Sequence, residues 1–311
     1  GKRDIFLHDR QTGATERVSV ASDGTQGNNY SSDPAVSNDG CYVVFSSWAS
    51  NLVPDDSNLS QDIFIHDCQT GATERVSIAS DVTQANSSSF RPAITADGRY
   101  VAFESNASNL VSGDTNGRTD VFVHDRQTGK TTLVSVASDG TQGNSDSGTP
   151  ALSTDGRYVI FRSWATNLVP NDTNNMGDVF VHDRQTGKTT LVSVASDGTQ
   201  ANRHSYSRSI TFDGRYVVFY SDADNLVPGD TNGSDDIFVH DRLTGMTERV
   251  SVAPGGSQTN DDSNHPTISA NGRFVTFTSY ASNLAPGDTN GSADIFVKDL
   301  WTETFLPLTV K

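Results

Sequence analysis

Residues 120–142, DVFVHDRQTGKTTLVSVASDGTQ, recur letter for letter at 178–200, 58 positions later. An internal repeat of this length decides the class of architecture before any residue-level propensity is weighed, because each unit must bury its apolar face against its neighbours. The opening aspartate returns at Asp4, Asp62, Asp120, Asp178, Asp236 and Asp294. A second signature alternates with the first, at 34–47, 92–105, 150–163, 208–221 and 266–279. The chain therefore carries six copies of one hairpin and five of the other.

Each repeat reads as four short strands, in the third copy 92–95, 99–105, 120–125 and 131–137. The runs Tyr100-Val101-Ala102-Phe103 and Val121-Phe122-Val123 are too short for a helix, and no helical period survives anywhere. Strands apolar on both faces must be covered on both faces, as happens when sheets stack on sheets. The first pair is joined by Asp97-Gly98 and its equivalents, a strong hairpin signal, and the second by Asp-x-x-Thr-Gly turns such as 125–129. The other two connections, 106–119 and 138–149, are long. In an up-and-down sheet the tight turns lie at one edge and the long loops at the other, so binding is expected on the long-loop face.

Four-stranded antiparallel units repeated about an axis make an all-β fold, the β-propeller. The reading is one domain over 1–311, with five four-stranded blades at 33–311 and a surplus outer hairpin at 1–21 that replaces or flanks the carboxy-terminal one; a six-position ring is the alternative. The pattern Pro92-x-Ile94-x-x-Asp97-Gly98-Arg99-Tyr100-Val101-Ala102-Phe103-x-Ser105, with Asp120 to Asp125 and Thr128-Gly129 after it, resembles the TolB-type, WD40-like propeller repeat over essentially the whole chain. That resemblance implies the fold. It leaves function open, since such repeats serve as periplasmic interaction modules, as gating domains of peptidases and as parts of secreted proteins.

A formal charge of −16 and the absence of Lys/Arg clusters exclude nucleic acid and anionic membrane as main partners. No run approaches the roughly 18 apolar residues that span a bilayer. The chain opens on Gly1 in mid-repeat, as a chain whose leader has been removed would. Cys41 and Cys68 take slots held by arginine in the other repeats, and adjacent antiparallel strands place them side by side. A Cys41–Cys68 disulfide is expected, which suits an extracellular or periplasmic address.

The loops suggest chemistry. Asp230, Asn232, Gly233 and Asp236 form D-x-N-G-x-x-D, and oxygen ligands spaced about a glycine turn are what a hard cation needs. Equivalent sets are Asp56, Asn58 and Asp62; Asp114, Asn116 and Asp120; Asp172, Asn174 and Asp178; Asp288, Asn290 and Asp294, with Leu59 and Asn175 replacing the glycine in two. They look like the calcium loops of integrin-type propellers, and structural Ca2+ is expected, against an Asx-turn network without metal. Trp48, Trp164 and Tyr280, with Gln142 and Asn144, are the candidates for ligand contact: indoles and amides suit sugars, while core packing and loop ties are the plainer alternative. The recurring His8, His66, His124, His182 and His240 are one per blade and too far apart to share a metal. Near-identical blades lack the asymmetry of an acid, a base and a nucleophile. The expectation is a secreted, non-catalytic binding module for a glycan or protein ligand. A subunit that self-assembles by strand exchange into oligomers or filaments is the alternative, and a glycosidase-like enzyme a further one.

Overall fold

A computed structural model describes residues 2–301 and the backbone of 305–307. β1 (Phe6–His8) and β2 (Thr15–Arg17) form a lone hairpin. Five four-stranded antiparallel sheets follow, each with its strands in sequence order. They comprise β3 (Ser31–Val36), β4 (Tyr42–Ser47), β5 (Asp62–Asp67) and β6 (Thr73–Arg75); β7 (Ser89–Ile94), β8 (Tyr100–Ser105), β9 (Asp120–Asp125) and β10 (Lys130–Leu133); β11 (Ser147–Leu152), β12 (Tyr158–Ser163), β13 (Asp178–Asp183) and β14 (Lys188–Leu191); β15 (Ser205–Ile210), β16 (Tyr216–Ser221), β17 (Asp236–Asp241) and β18 (Met246–Arg249); β19 (Ser263–Ile268), β20 (Phe274–Ser279), β21 (Asp294–Asp299) and β22 (Phe305–Pro307). This is the all-β propeller architecture the repeat predicts.

The chain separates into two compact units, residues 1–136 with 142–156, and 137–141 with 157–311. In the first, β7 packs on β3 and β4, and β11 on β7 and β8. In the second, β15 packs on β12 and β13, and β19 on β15 and β16. The middle strands are buried on both faces, as their unbroken apolar runs require. Phe103 and Phe122 stack at 6.0 Å, and Phe45–Phe64, Phe161–Phe180, Phe219–Phe238 and Phe277–Phe296 repeat the pair in the other sheets. Phe6 stands in the same slot of the lone hairpin; among the described residues no strand-two phenylalanine covers it, and it is 57% exposed.

Two strand boundaries differ from expectation. Strand one starts three residues early, at Ser89, because residues ahead of the proline also pair; the ladder then skips at a bulge between Phe90 and Ala93. Proline cannot donate to a ladder, so a bulge is where it fits. Strand four ends at Leu133, four residues early, because the Ser135 side chain turns inward to Asp120. In the last sheet β21 pairs with all six residues of β20.

Candidate functional site

The D-x-N-G-x-x-D loops hold themselves together. Asp120 is fully buried, and Ser135 Oγ donates to its Oδ1 at 2.6 Å while Asn116 Nδ2 donates to its Oδ2 at 2.7 Å. Asn116 Nδ2 also reaches the Gly143 carbonyl at 3.1 Å, and its Oδ1 accepts from Arg118 N at 2.9 Å. The amide thus turns its nitrogen, not its oxygen, toward the carboxylate. The same bond joins Asn58 to Asp62 at 2.9 Å, Asn174 to Asp178 at 2.8 Å, Asn232 to Asp236 at 3.1 Å and Asn290 to Asp294 at 3.4 Å. Leu59 and Asn175 keep the left-handed backbone (φ 55° each) that glycine adopts in the sister loops, so the turn survives its substitution at a cost in strain.

A second difference separates the sheets. Arg75 Nη1 lies 3.4 Å from Asp56 and 4.0 Å from Asp62, and Arg249 Nη1 lies 3.3 Å from Asp230 and 3.2 Å from Asp236. Sheets two and three carry Leu133 and Leu191 in that slot. With no guanidinium beside them, burial pushes Asp120 and Asp178 up to about 6, and the neighbouring Asp114 and Asp172 carboxylates add to the rise. In sheets one and four an arginine already stands between the carboxylates, whereas in sheets two and three the two carboxylates of each loop have no such counter-ion. Among the described residues no three His, Cys, Asp or Glu side chains converge as a metal centre.

The remaining sequence candidates divide. Gln142 ties one long loop to the other: its Oε1 accepts from Thr115 N at 3.2 Å and its Nε2 donates to the Gly113 carbonyl at 3.0 Å. Asn86, the equivalent of Asn144, is bonded the same way to Asn109 and Ser108. The histidines are structural. Thr131 Oγ1 spends its proton on the Ile78 carbonyl, so His124 Nδ1–H must be the donor in their 2.9 Å bond. Trp48, Trp164 and Tyr280 stay exposed, at 45, 40 and 50%.

The cysteines require a correction. Cys68 N donates to the Cys41 carbonyl at 2.9 Å, so the two residues are neighbours across the ladder, yet both are free thiols and the expected disulfide is not formed. Cys41 Sγ is engaged by Gln69 Nε2 at 2.8 Å. Burial pushes the Cys68 thiol up to about 11 and raises Cys41 as well.

A more informative set of residues comes from where the repeats disagree. Residues 46, 104, 162, 220 and 278 are Ser, Glu, Arg, Tyr and Thr within an otherwise constant strand two. Residues 33, 91, 149, 207 and 265 are Asp, Arg, Thr, Ser and His, and 61, 119, 177, 235 and 293 are Gln, Thr, Gly, Asp and Ala. The fold brings these columns together at the long-loop end of each sheet. Asp33, Arg91, Thr149 and His265 sit at the strand-one bulge with φ of 49–52°. Left-handed backbone is uncommon for such residues, and strain of this kind gathers at functional sites.

The contents of that edge change from sheet to sheet. Ser46 Oγ bonds Asp33 at 3.0 Å and accepts from Gln61 Nε2 at 2.9 Å. Glu104, 2% exposed, takes Arg91 Nη1 at 2.6 Å on one oxygen and Thr149 N at 2.7 Å on the other. In the second unit the Arg162 guanidinium lies 4.1 Å from the Trp164 ring and 3.9 Å from Tyr206, and Tyr206 stacks on Tyr220 at 4.5 Å. Burial raises Asp235 to about 6, helped by Asp262 and Asp222. Comparing repeats for divergence rather than agreement would have found this edge in the sequence.

No family model and no curated protein matches the sequence. Solved structures do. The propeller domain of the trilobed protease of Pyrococcus furiosus, described as having an open velcro topology, matches with a TM-score of 0.60 at 11% identity over 99% of this chain and 77% of that one. Putative TolB from Agrobacterium tumefaciens matches at 0.54 and 16% over 96% and 84%, and TolB from Acinetobacter baumannii at 0.51 and 14% over 95% and 57%. This chain thus spans little more than half of the latter. At these identities the likeness is one of fold: the chain is a β-propeller with the architecture found in TolB.

Proposed function

We propose that the chain is a non-catalytic binding module that recognises a glycan or protein ligand with the divergent long-loop edge of its sheets. The observation that carries this reading is the contrast between a buried frame kept almost letter for letter and an edge whose chemistry changes from acid to base to aromatic. Loops on a rigid scaffold are where recognition is built. The reading places the module in the periplasm or outside the cell, as its TolB-type repeats suggest; among the described residues no helix is long and apolar enough to cross a membrane. Ligand capture by a monomeric sample should be lost in Trp164→Ala and Tyr220→Ala and retained in Leu243→Ala, an exposed residue of the tight-turn side. Capture that survives both edge changes would sink the proposal.

Calcium, in this reading, is structural and confined to the loops of sheets two and three. Chelation should then lower the melting temperature, and Leu133→Arg with Leu191→Arg, which place a guanidinium between the carboxylates as Arg75 does, should remove that sensitivity. An unchanged midpoint on chelating the unmodified chain excludes it.

A second reading, self-assembly by strand pairing, rests on Phe6. Its five counterparts are covered by a strand-two phenylalanine and it is not. An unpaired strand edge is a template for association. Sedimentation should show concentration-dependent oligomers that Phe6→Asp abolishes; a monomer at every concentration removes this reading.

A further inference from the structure

Arg162 differs from the other arginines of the strand repeats. Arg99, Arg157, Arg215 and Arg273 each hold an aspartate at 2.7–2.8 Å, and Arg91 holds Glu104. The Nε of Arg162 is buried without a hydrogen-bond partner, as are those of Arg75, Arg126 and Arg249, but those three each form an ion pair and Arg162 forms none among the described residues. A guanidinium carries five N–H donors in a rigid fork and normally finds acceptors for them. Here the planar group is wedged between the Trp164 and Tyr206 rings, and Tyr206 is backed by Tyr220 at an interplanar angle of 5°. The wedge is built in. Gly177 leaves the room the guanidinium occupies, since a Cβ there would run into Arg162 Nε, whereas the equivalent residues are Gln61, Thr119, Asp235 and Ala293. His204 Nδ1 accepts from Gly177 N at 3.0 Å, which leaves the ring proton on Nε2 as a further donor beside Tyr206.

We infer that Arg162, with the exposed indole of Trp164 beside it, is a site for an acidic saccharide, the carboxylate of a uronic-acid ring pairing with the guanidinium while the ring lies against Trp164. A fork of parallel N–H donors matches a carboxylate in two bonds, which is the recognition for which arginine is better suited than lysine. A positioned cation in a chain of net charge −16 selects a ligand with isolated carboxylates and disfavours polyphosphates. The surroundings are aromatic, with Trp164, Tyr206 and Tyr220 about the guanidinium and the His204 ring beside Tyr206, and ring faces with a few polar groups suit the C–H faces and hydroxyls of a sugar.

The inference rests on the reading of the divergent edge as a binding surface, and its test separates the two. D-glucuronic acid is titrated into the full chain, followed by calorimetry and by the Trp164 indole N–H resonance, with D-glucose and N-acetylglycine as controls. Saturable binding at about millimolar affinity is expected for a single ring, with glucose at least about tenfold weaker. Arg162→Gln should lose about tenfold. Gly177→Ala, which keeps the charge and displaces the fork, should lose a comparable amount, so that a folding defect in one variant does not decide the matter. Glucose binding as tightly as glucuronate overturns the carboxylate assignment and leaves the edge reading standing. N-acetylglycine binding as tightly overturns the saccharide and favours a peptide carboxylate. No saturable shift with any of the three, or affinity unchanged in both variants, overturns the site.

Discussion

Leu133 and Leu191 show how one side chain resets the electrostatics of a repeat. Where Arg75 stands, the buried aspartate pair has a counter-ion that works against the rise burial still imposes on Asp62; where leucine stands, Asp120 and Asp178 are raised to about 6. In the folded chain these carboxyls keep their protons up to about pH 6, whereas unfolded they ionise near 3.8. Folding therefore takes up protons between those values, and stability falls as pH rises from 4 to 6, by about 3 kcal/mol per group. Leu133→Arg should flatten that loss, which urea titrations of variant and parent at pH 4.5 and 7 will read as a narrowing gap. The histidines work in the opposite sense. Burial lowers His66, His124 and His182, and takes His240 to about 4, so they stay neutral in the fold and their contribution is lost as pH falls below the unfolded value near 6.5. His240→Gln should make the chain less sensitive to pH between 6.5 and 4. None of this was legible in the loop motif alone, because Asp120 and Leu133 sit on neighbouring strands that only the sheet brings together.

Among the elements, the central strands carry the energy. Phe103 and Phe122 are fully buried against each other, so Phe103→Ala should cost about 3–5 kcal/mol. Phe6→Ala, in the same kind of strand but without its partner, should cost under about 1 kcal/mol. Consecutive sheets within a unit are also tied by hydroxyls. Ser80 Oγ accepts from Thr131 N at 3.0 Å, and Ser22 with Thr73, Ser138 with Thr189 and Ser196 with Thr247 repeat the bond. Thr131→Val strips a buried donor from the Ile78 carbonyl and an acceptor from His124, and should destabilise by about 1–3 kcal/mol in chemical denaturation. The strands and tight turns were readable because apolar runs and Asp-Gly pairs act locally. The edges of strands one and four were not, since a bulge before proline and an inward serine answer to partners in other strands.

At the scale of the molecule, a charge of −16 spread over 311 residues opposes compaction, and added salt screens it. Raising sodium chloride from low ionic strength to about 0.3 M, where the Debye length is a few ångströms, should raise the melting temperature; a fall would mean that surface ion pairs outweigh the net repulsion. The repeat by itself determined the architecture: six outer hairpins, five inner ones, four strands to a sheet and an apolar face in each. These follow from backbone dihedrals and side-chain periodicity, which identical local sequences reproduce wherever they occur. Only the tertiary structure decided how the polar residues are used. Asn116 turns its amide nitrogen to Asp120 because its oxygen is held by Arg118, Cys41 and Cys68 lie adjacent as separate thiols, and Arg162 is left without a carboxylate while Arg99, Arg157, Arg215 and Arg273 at another position of the repeat each hold one. Hydrogen bonds and charges are satisfied by whatever stands opposite in space, which for Asn116 is its own loop and for Cys41 and Arg162 a neighbouring strand or sheet.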